Sequence, residues 1–276
     1  MTQGEPSLKK LTSLLKRVRS KYAPPAAEPA APVLGADRVL TELLISMLLW
    51  DATTGQARHA CKRLHEHLVD LNDLRVCVPE ETAEILGEKY PAGLERAMRL
   101  RSLLGDIYNR EHAVQLTGLE GLGKREARAY LESLEGVTHF AAARTFAIAL
   151  SGHAAPVDNR LRELLVSEGV ASEEMSCTAL STWLERSIGA DDMPESVVAL
   201  QAWADEEGRA PKRDAPDLPD RPATKAAPKS PAKPEPKAKP AKHKAAAKAA
   251  GKSADKPARE KAPRPARKGP SKDAKP

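Results

Sequence analysis

LESLEGVTHFAAARTFAIALSGHAAPVDNR, residues 131–160, is the stretch on which the reading of this chain turns. It holds the end of one apolar helical run, the short turn Gly136-Val137-Thr138, and a second apolar run over 139–151. A Gly152-to-Pro156 break follows, with Gly152 read as the residue that closes the second run, and then Val157-Asp158 leads into a further helical run at Asn159. A tight turn between two apolar helices, with one carboxylate parked before a third, is the local pattern to be explained.

Working outward, the chain divides by composition. Residues 211–276 carry 20 Lys or Arg against 7 Asp or Glu, so +13 of charge lies there and the first 210 residues carry −7. That segment is Lys, Ala and Pro with no aromatic residue and no branched aliphatic residue after Leu218. It has too little apolar surface to offset the roughly 1–2 kcal/mol per residue that ordering a backbone costs, and is expected to be disordered. The division is therefore 1–34 for an amphipathic helix and its Pro/Ala-rich linker, 35–208 for a helical domain, and 209–276 for the basic tail.

Helical spacing of apolar residues recurs over 7–22, 37–50, 54–69, 80–87, 91–110, 124–133, 139–151, 159–168, 177–189 and 194–207. No alternating Val/Ile/Thr stretch competes, so the fold is expected to be all α. Residues 37–50, DRVLTELLISMLLW, are the most apolar and read as a buried helix, too short to span a bilayer. The three cysteines, Cys61, Cys77 and Cys177, stand far apart without a CxxC pair, which argues against a zinc ribbon, an iron–sulfur cluster and a disulfide framework. No cofactor and no metal are expected, and a soluble intracellular protein is.

The opening turn suits a helix-hairpin-helix. In that motif the turn and the start of its second helix direct unpaired backbone N–H groups, at the positive end of the helix dipole, toward a DNA phosphate. Gly136, Val137 and Thr138 are the candidates for that contact. A second glycine turn, LEGLGKREA at 119–127, adds Gly121, Gly123 and Lys124, with Arg125 beside them.

On these residues the chain resembles the helix-hairpin-helix DNA glycosylases of the endonuclease III and adenine glycosylase kind. Their pattern runs L-P-G-V-G-R-K-T-A, then a helix, then an apolar residue and an Asp 18 positions after the Lys. Residues 134–142, LEGVTHFAA, match its glycine and apolar skeleton, and Asp158 falls 18 after Phe140. The resemblance covers about 37–189, with TELLISMLLWDATTGQA, 41–57, similar to the family's early helix and loop. The 119–127 turn fits the pattern locally, but 18 positions after Arg125 comes Ala143, within a helix, so the second hairpin keeps the register.

The resemblance implies a two-lobed helical bundle and a DNA-binding protein of base-excision-repair type. Phe140 stands where the family's bifunctional members have their nucleophilic lysine, so no Schiff-base lyase step is expected. Thr138 replaces the second hairpin glycine, where a β-branched residue would fit a positive φ poorly, and Glu135 replaces the proline. Ala52 stands where a wedge glutamine is expected, with Gln56 nearby, and the cluster cysteines are missing.

Asp158 is the one catalytic candidate, since a carboxylate beside a flipped sugar stabilises an oxocarbenium-like state and orients water. It also precedes a helix, where Asp is a favoured N-cap worth roughly 1 kcal/mol. The two roles are compatible. Histidines 65, 67, 139 and 153 read as solvated or partly buried rather than metal-binding, and Trp50, Trp183 and Trp203 as packing.

The implied function is a monofunctional DNA N-glycosylase without lyase activity. The alternative is a catalytically inactive glycosylase-fold DNA-binding protein with a tail like that of a linker histone; a protein-interaction module is a third. Double-stranded DNA is the expected partner, with no membrane and a monomeric state, in the cytoplasm or nucleoid, or in the nucleus of a eukaryote.

Overall fold

The computed structural model describes residues 6–22 and 31–209. Residues 1–5, 23–30, which hold most of the Pro/Ala-rich linker, and 210–276 fall outside the described residues, and with the last the expectation of a disordered tail. Among the described residues all regular structure is helical: α1 Leu8–Lys21, α2 Arg38–Leu49, α3 Thr54–His67, α4 Leu71–Val76, α5 Pro79–Leu86, α6 Gly93–Glu111, a 3-10 helix Thr117–Gly121, α7 Lys124–Glu132, α8 His139–Ile148, α9 Asn159–Ser167, α10 Cys177–Ser187 and α11 Met193–Glu207.

Helix starts follow the chemistry of their first residues. The side chains of Ser7, Asp37, Thr53, Asp70, Thr138, Asp158 and Ser176 each accept a backbone N–H of the helix they precede. Such caps satisfy donors that the helix itself leaves unpaired. Gln56 is used up in this way: its Oε1 accepts Thr53 N at 2.8 Å, completing a capping box at the head of α3.

The end of α8 departs from expectation. The helix stops at Ile148, and the left-handed residue after it is Ser151 at φ 48°, not Gly152. Gly152 N donates to Phe146 O at 2.9 Å, and a Cβ on Gly152 would lie 2.1 Å from the Phe146 ring. Close approach to Phe146, rather than a positive φ, is what requires glycine there.

Two apolar cores divide the helices into two lobes. The first gathers Val33 to Ala154 around α2, ten of whose twelve residues are buried. The second joins Leu11, Leu14, Leu15 and Val18 of α1 to α9, α10 and α11. Among the described residues α1 thus shares a lobe with α9, α10 and α11, and the backbone passes from the first lobe into it at Ala154-Ala155.

The first lobe's central helix ends without a glycine. Its last carbonyls are met instead by a fully buried Arg96 reaching Met47, Leu48 and Trp50, and by the Tyr90 hydroxyl on Leu48 O. Buried backbone acceptors of this kind would otherwise cost about 1–3 kcal/mol each.

Candidate functional site

The hairpin is built on α6. Arg110 reaches Ser133 O and Oγ at 2.8 Å, Asp106 Oδ2 accepts Glu135 N at 2.9 Å, and Arg99 contacts Gly136 O at 3.4 Å. Gly136 has φ +77°, and a Cβ there would lie 2.6 Å from Arg99 O. Glycine is therefore required twice over, by conformation and by contact.

Thr138 corrects the expectation of strain. It sits at φ −93°, ψ 150°, an ordinary extended residue, and caps α8 by accepting Ala141 N at 3.1 Å. No positive φ exists for its β-branch to resist. Beyond that cap, the N–H groups of Gly136, Thr138, His139 and Phe140 have no partner among the described residues. Val137 is half-buried, its N–H 3.4 Å from Leu134 O.

The other glycine turn is placed differently. Gly121 closes the 3-10 helix and Gly123 precedes α7 at φ −61°, and a Cβ at either would meet nothing within 4 Å. Lys124 is exposed, but its Nζ donates to Leu150 O, while Arg38 donates to Ala149 O, so two cations close the end of α8. These side chains border a polar recess of about 130 Å³ with Glu120 and Ser151.

Asp158 lies where the lobes meet. Its Oδ1 caps α9 through Leu161 N at 2.9 Å, and its Oδ2 accepts Asp51 N at 3.2 Å. Asp51 returns the contact, taking Asn159 N and Asn159 Nδ2, each at 2.9 Å. Asp51 and Asp158 are 1% and 3% exposed, and the loop at 51–52 is further held by Arg160, which donates to Ala52 O at 2.6 Å and to Ala204 O. Burial pushes the Asp158 carboxyl up to about 6, against the pull of the Leu161 N–H, and the nearby Asp51 charge adds to the rise.

Phe140 closes the space above it. With Pro156, Asp158, Leu161, Gln201 and Ala204 it lines a cavity of about 10 Å³. That is room for one water at most. Farther along the junction Arg128 pairs with Glu185 at 3.1 Å, and the His153 ring donates to Glu185 O at 2.7 Å.

Compared with solved structures, the chain is similar to endonuclease III trapped as a covalent intermediate with DNA: 14% identity, TM-score 0.56, covering 72% of this chain and 86% of that one. The chain has the endonuclease III fold. A non-covalent endonuclease III–DNA complex matches equally well, at 14% identity and TM-score 0.56 over the same shares. The Clostridium acetobutylicum 8-oxoguanine glycosylase/lyase bound to double-stranded DNA matches at 16% identity and TM-score 0.52, over 72% of this chain and 69% of that one. No protein-family model and no curated protein matches the sequence.

Within this endonuclease III fold the residues singled out by sequence form three separate groups. Gly136, Val137 and Thr138 stand in the hairpin, and Asp158 stands at the lobe junction with Phe140. Gly121, Gly123 and Lys124 are at the other end of α7 from the hairpin.

Asp51 was not legible in WDATT, because its partners Asp158 and Asn159 lie 107 and 108 residues away. Sequence reasoning missed Arg96 and Arg160 as well. The signal for Arg96 was indirect: an apolar helix ending at Leu49 with no glycine or cation at its end must find a donor elsewhere in the chain. The three cysteines are unpaired, and no group of three or more metal-ligating side chains occurs among the described residues.

Proposed function

We propose that this protein is a duplex-DNA-binding protein that keeps the glycosylase scaffold without excising a base. The observation that carries this reading is the closed lobe junction. A base-flipping enzyme needs a pocket the size of the base beside its carboxylate. Here the space at Asp158 admits one water, Phe140 lines it at the place where the family resemblance puts the nucleophile, and both Asp158 oxygens hold backbone N–H groups.

DNA binding is supported by three features. The unpaired N–H groups at the start of α8 can donate to a phosphate. The 211–276 segment carries +13 and gains affinity by releasing counterions from DNA. The fold is shared with proteins solved on DNA. The protein acts in this reading as a monomer, in whichever compartment holds the DNA.

A second reading, the monofunctional glycosylase, is favoured by one observation: Asp158 heads α9 at the lobe junction, 18 residues after Phe140. Catalysis would then require parting the Asp51–Asp158 clasp. Both readings are tested by incubating the protein and its Asp158→Asn variant with duplexes carrying alkylated, oxidised, deaminated and mismatched bases, then cleaving abasic sites with alkali. Binding by both proteins with no base released by either is the expected result. Release of one base by the parent alone would overturn it in favour of the glycosylase.

A further inference from the structure

The helix that opens the chain has a composition unlike the rest of the helical domain. α1 holds six Lys or Arg and no acid, so residues 1–22 carry +5 once Glu5 is counted, and residues 23–210 carry −12. Half of those cations are committed to the fold. Arg17 pairs with Glu168 at 2.6 Å, Arg19 with Asp192 at 2.9 Å, and Lys21 with Glu206 at 2.9 Å and Glu207 at 3.2 Å.

Lys9, Lys10 and Lys16 are exposed and have no ion-pair partner among the described residues. Lys9, Ser13, Lys16 and Ser20 form the outer crest, opposite the buried Leu11, Leu14, Leu15 and Val18. The Thr12 and Ser13 hydroxyls turn back to Leu8 O and Lys9 O, so the crest between the lysines is low.

We infer that this face of α1 is a contact for the phosphate backbone of duplex DNA, separate from the hairpin. The inference rests on the DNA-binding reading above and extends it to the second lobe. A basic amphipathic helix would otherwise suit a membrane surface or a helix-binding partner. Both of those use the apolar stripe, and here that stripe is spent inside the second core, with Leu11 and Val18 at 1% exposure. What remains outside is positive charge with nothing to match it, on a body that is otherwise acidic. Lys9 and Lys16 lie about 10 Å apart along the helix axis, a length over which a duplex presents about six phosphates.

The test uses the full chain and three proteins: the parent, a Lys9→Ala/Lys16→Ala double variant, and a Lys9→Arg/Lys16→Arg double variant. Duplex affinity is measured by fluorescence anisotropy from 50 to 200 mM salt, with a parallel arm on anionic phosphatidylserine vesicles. The alanine variant should fold as the parent does by circular dichroism and bind duplex more weakly. The slope of log affinity against log salt should be shallower by about 2, so its deficit shrinks about tenfold across that range. The arginine variant should match the parent.

An unchanged slope in the alanine variant, while the parent binds, overturns the role of α1 and leaves the rest of the DNA reading standing. Loss of vesicle binding with unchanged duplex binding overturns it in favour of a lipid surface. A parent that does not bind duplex at all overturns the DNA reading and this inference together.

Discussion

Asp158 holds two amide hydrogens at once, one at the start of α9 and one on the loop after α2, and it does so nearly out of contact with water. Hydrogen bonds favour its charged form, yet burial and the neighbouring Asp51 disfavour it more, and the carboxyl is pushed up to about 6 from its ordinary 3.8. The folded protein therefore binds this proton more readily than the unfolded chain does between those two values. It follows that the group's stabilising contribution is fully present below about pH 4 and is lost as pH rises through about 6. The loss has an upper bound of about 3 kcal/mol from the size of the shift. Urea unfolding of the parent and of Asp158→Asn at several pH values from 4.5 to 7.5 checks this. The difference in stability between the two proteins should move against the parent as pH rises, whatever the amide costs on its own. Parallel curves would show that the buried carboxylate is not the group that titrates.

Hairpin and glycine turn look alike in the sequence, yet the structure gives their glycines different reasons to exist. Gly136 is fixed from within, by its positive φ and by Arg99 O at 2.6 Å from a would-be Cβ, whereas Gly123 has an ordinary φ and open space. Gly136→Ala is expected to cost more than about 2 kcal/mol, since a left-handed residue alone costs about 1–2. Gly123→Ala should cost about 1 kcal/mol or less, the range of an altered cap. Chemical denaturation of both variants checks the contrast, and equal costs would refute it. Such elements were legible because apolar residues recur at helical spacing and Asp158 stands just before its helix, and because α2 is too apolar to be anything but buried. The six-residue α4 left no periodic trace, and the early stop of α8 depends on Ser151, Gly152 and Phe146 meeting in space. Asp158 could be read as a cap or as a catalyst from its spacing. Which role it plays turns on Asp51, 107 residues away, and no local pattern carries that pairing.

The whole molecule poses an electrostatic problem that neither hairpin nor cap addresses. Residues 1–210 carry −7, so at long range this part is repelled by DNA, and α1 and the hairpin can act only once the surfaces are within about a Debye length, near 8–10 Å at physiological salt. The 20 cations of 211–276 reverse the balance and can supply encounter and retention without reading sequence. Deleting 211–276 should then weaken duplex binding strongly at 50 mM salt and flatten the salt dependence, because each phosphate neutralised by the tail contributes about 0.9 to the slope. Engagement of even six phosphates would make the full chain lose about a thousandfold in affinity between 50 and 200 mM salt, while the truncated protein loses far less. Anisotropy titrations of both proteins across that range decide the matter. If truncation leaves affinity and slope unchanged, the tail has no part in binding, and an acidic body would have to hold DNA through the α8 amides and α1 alone.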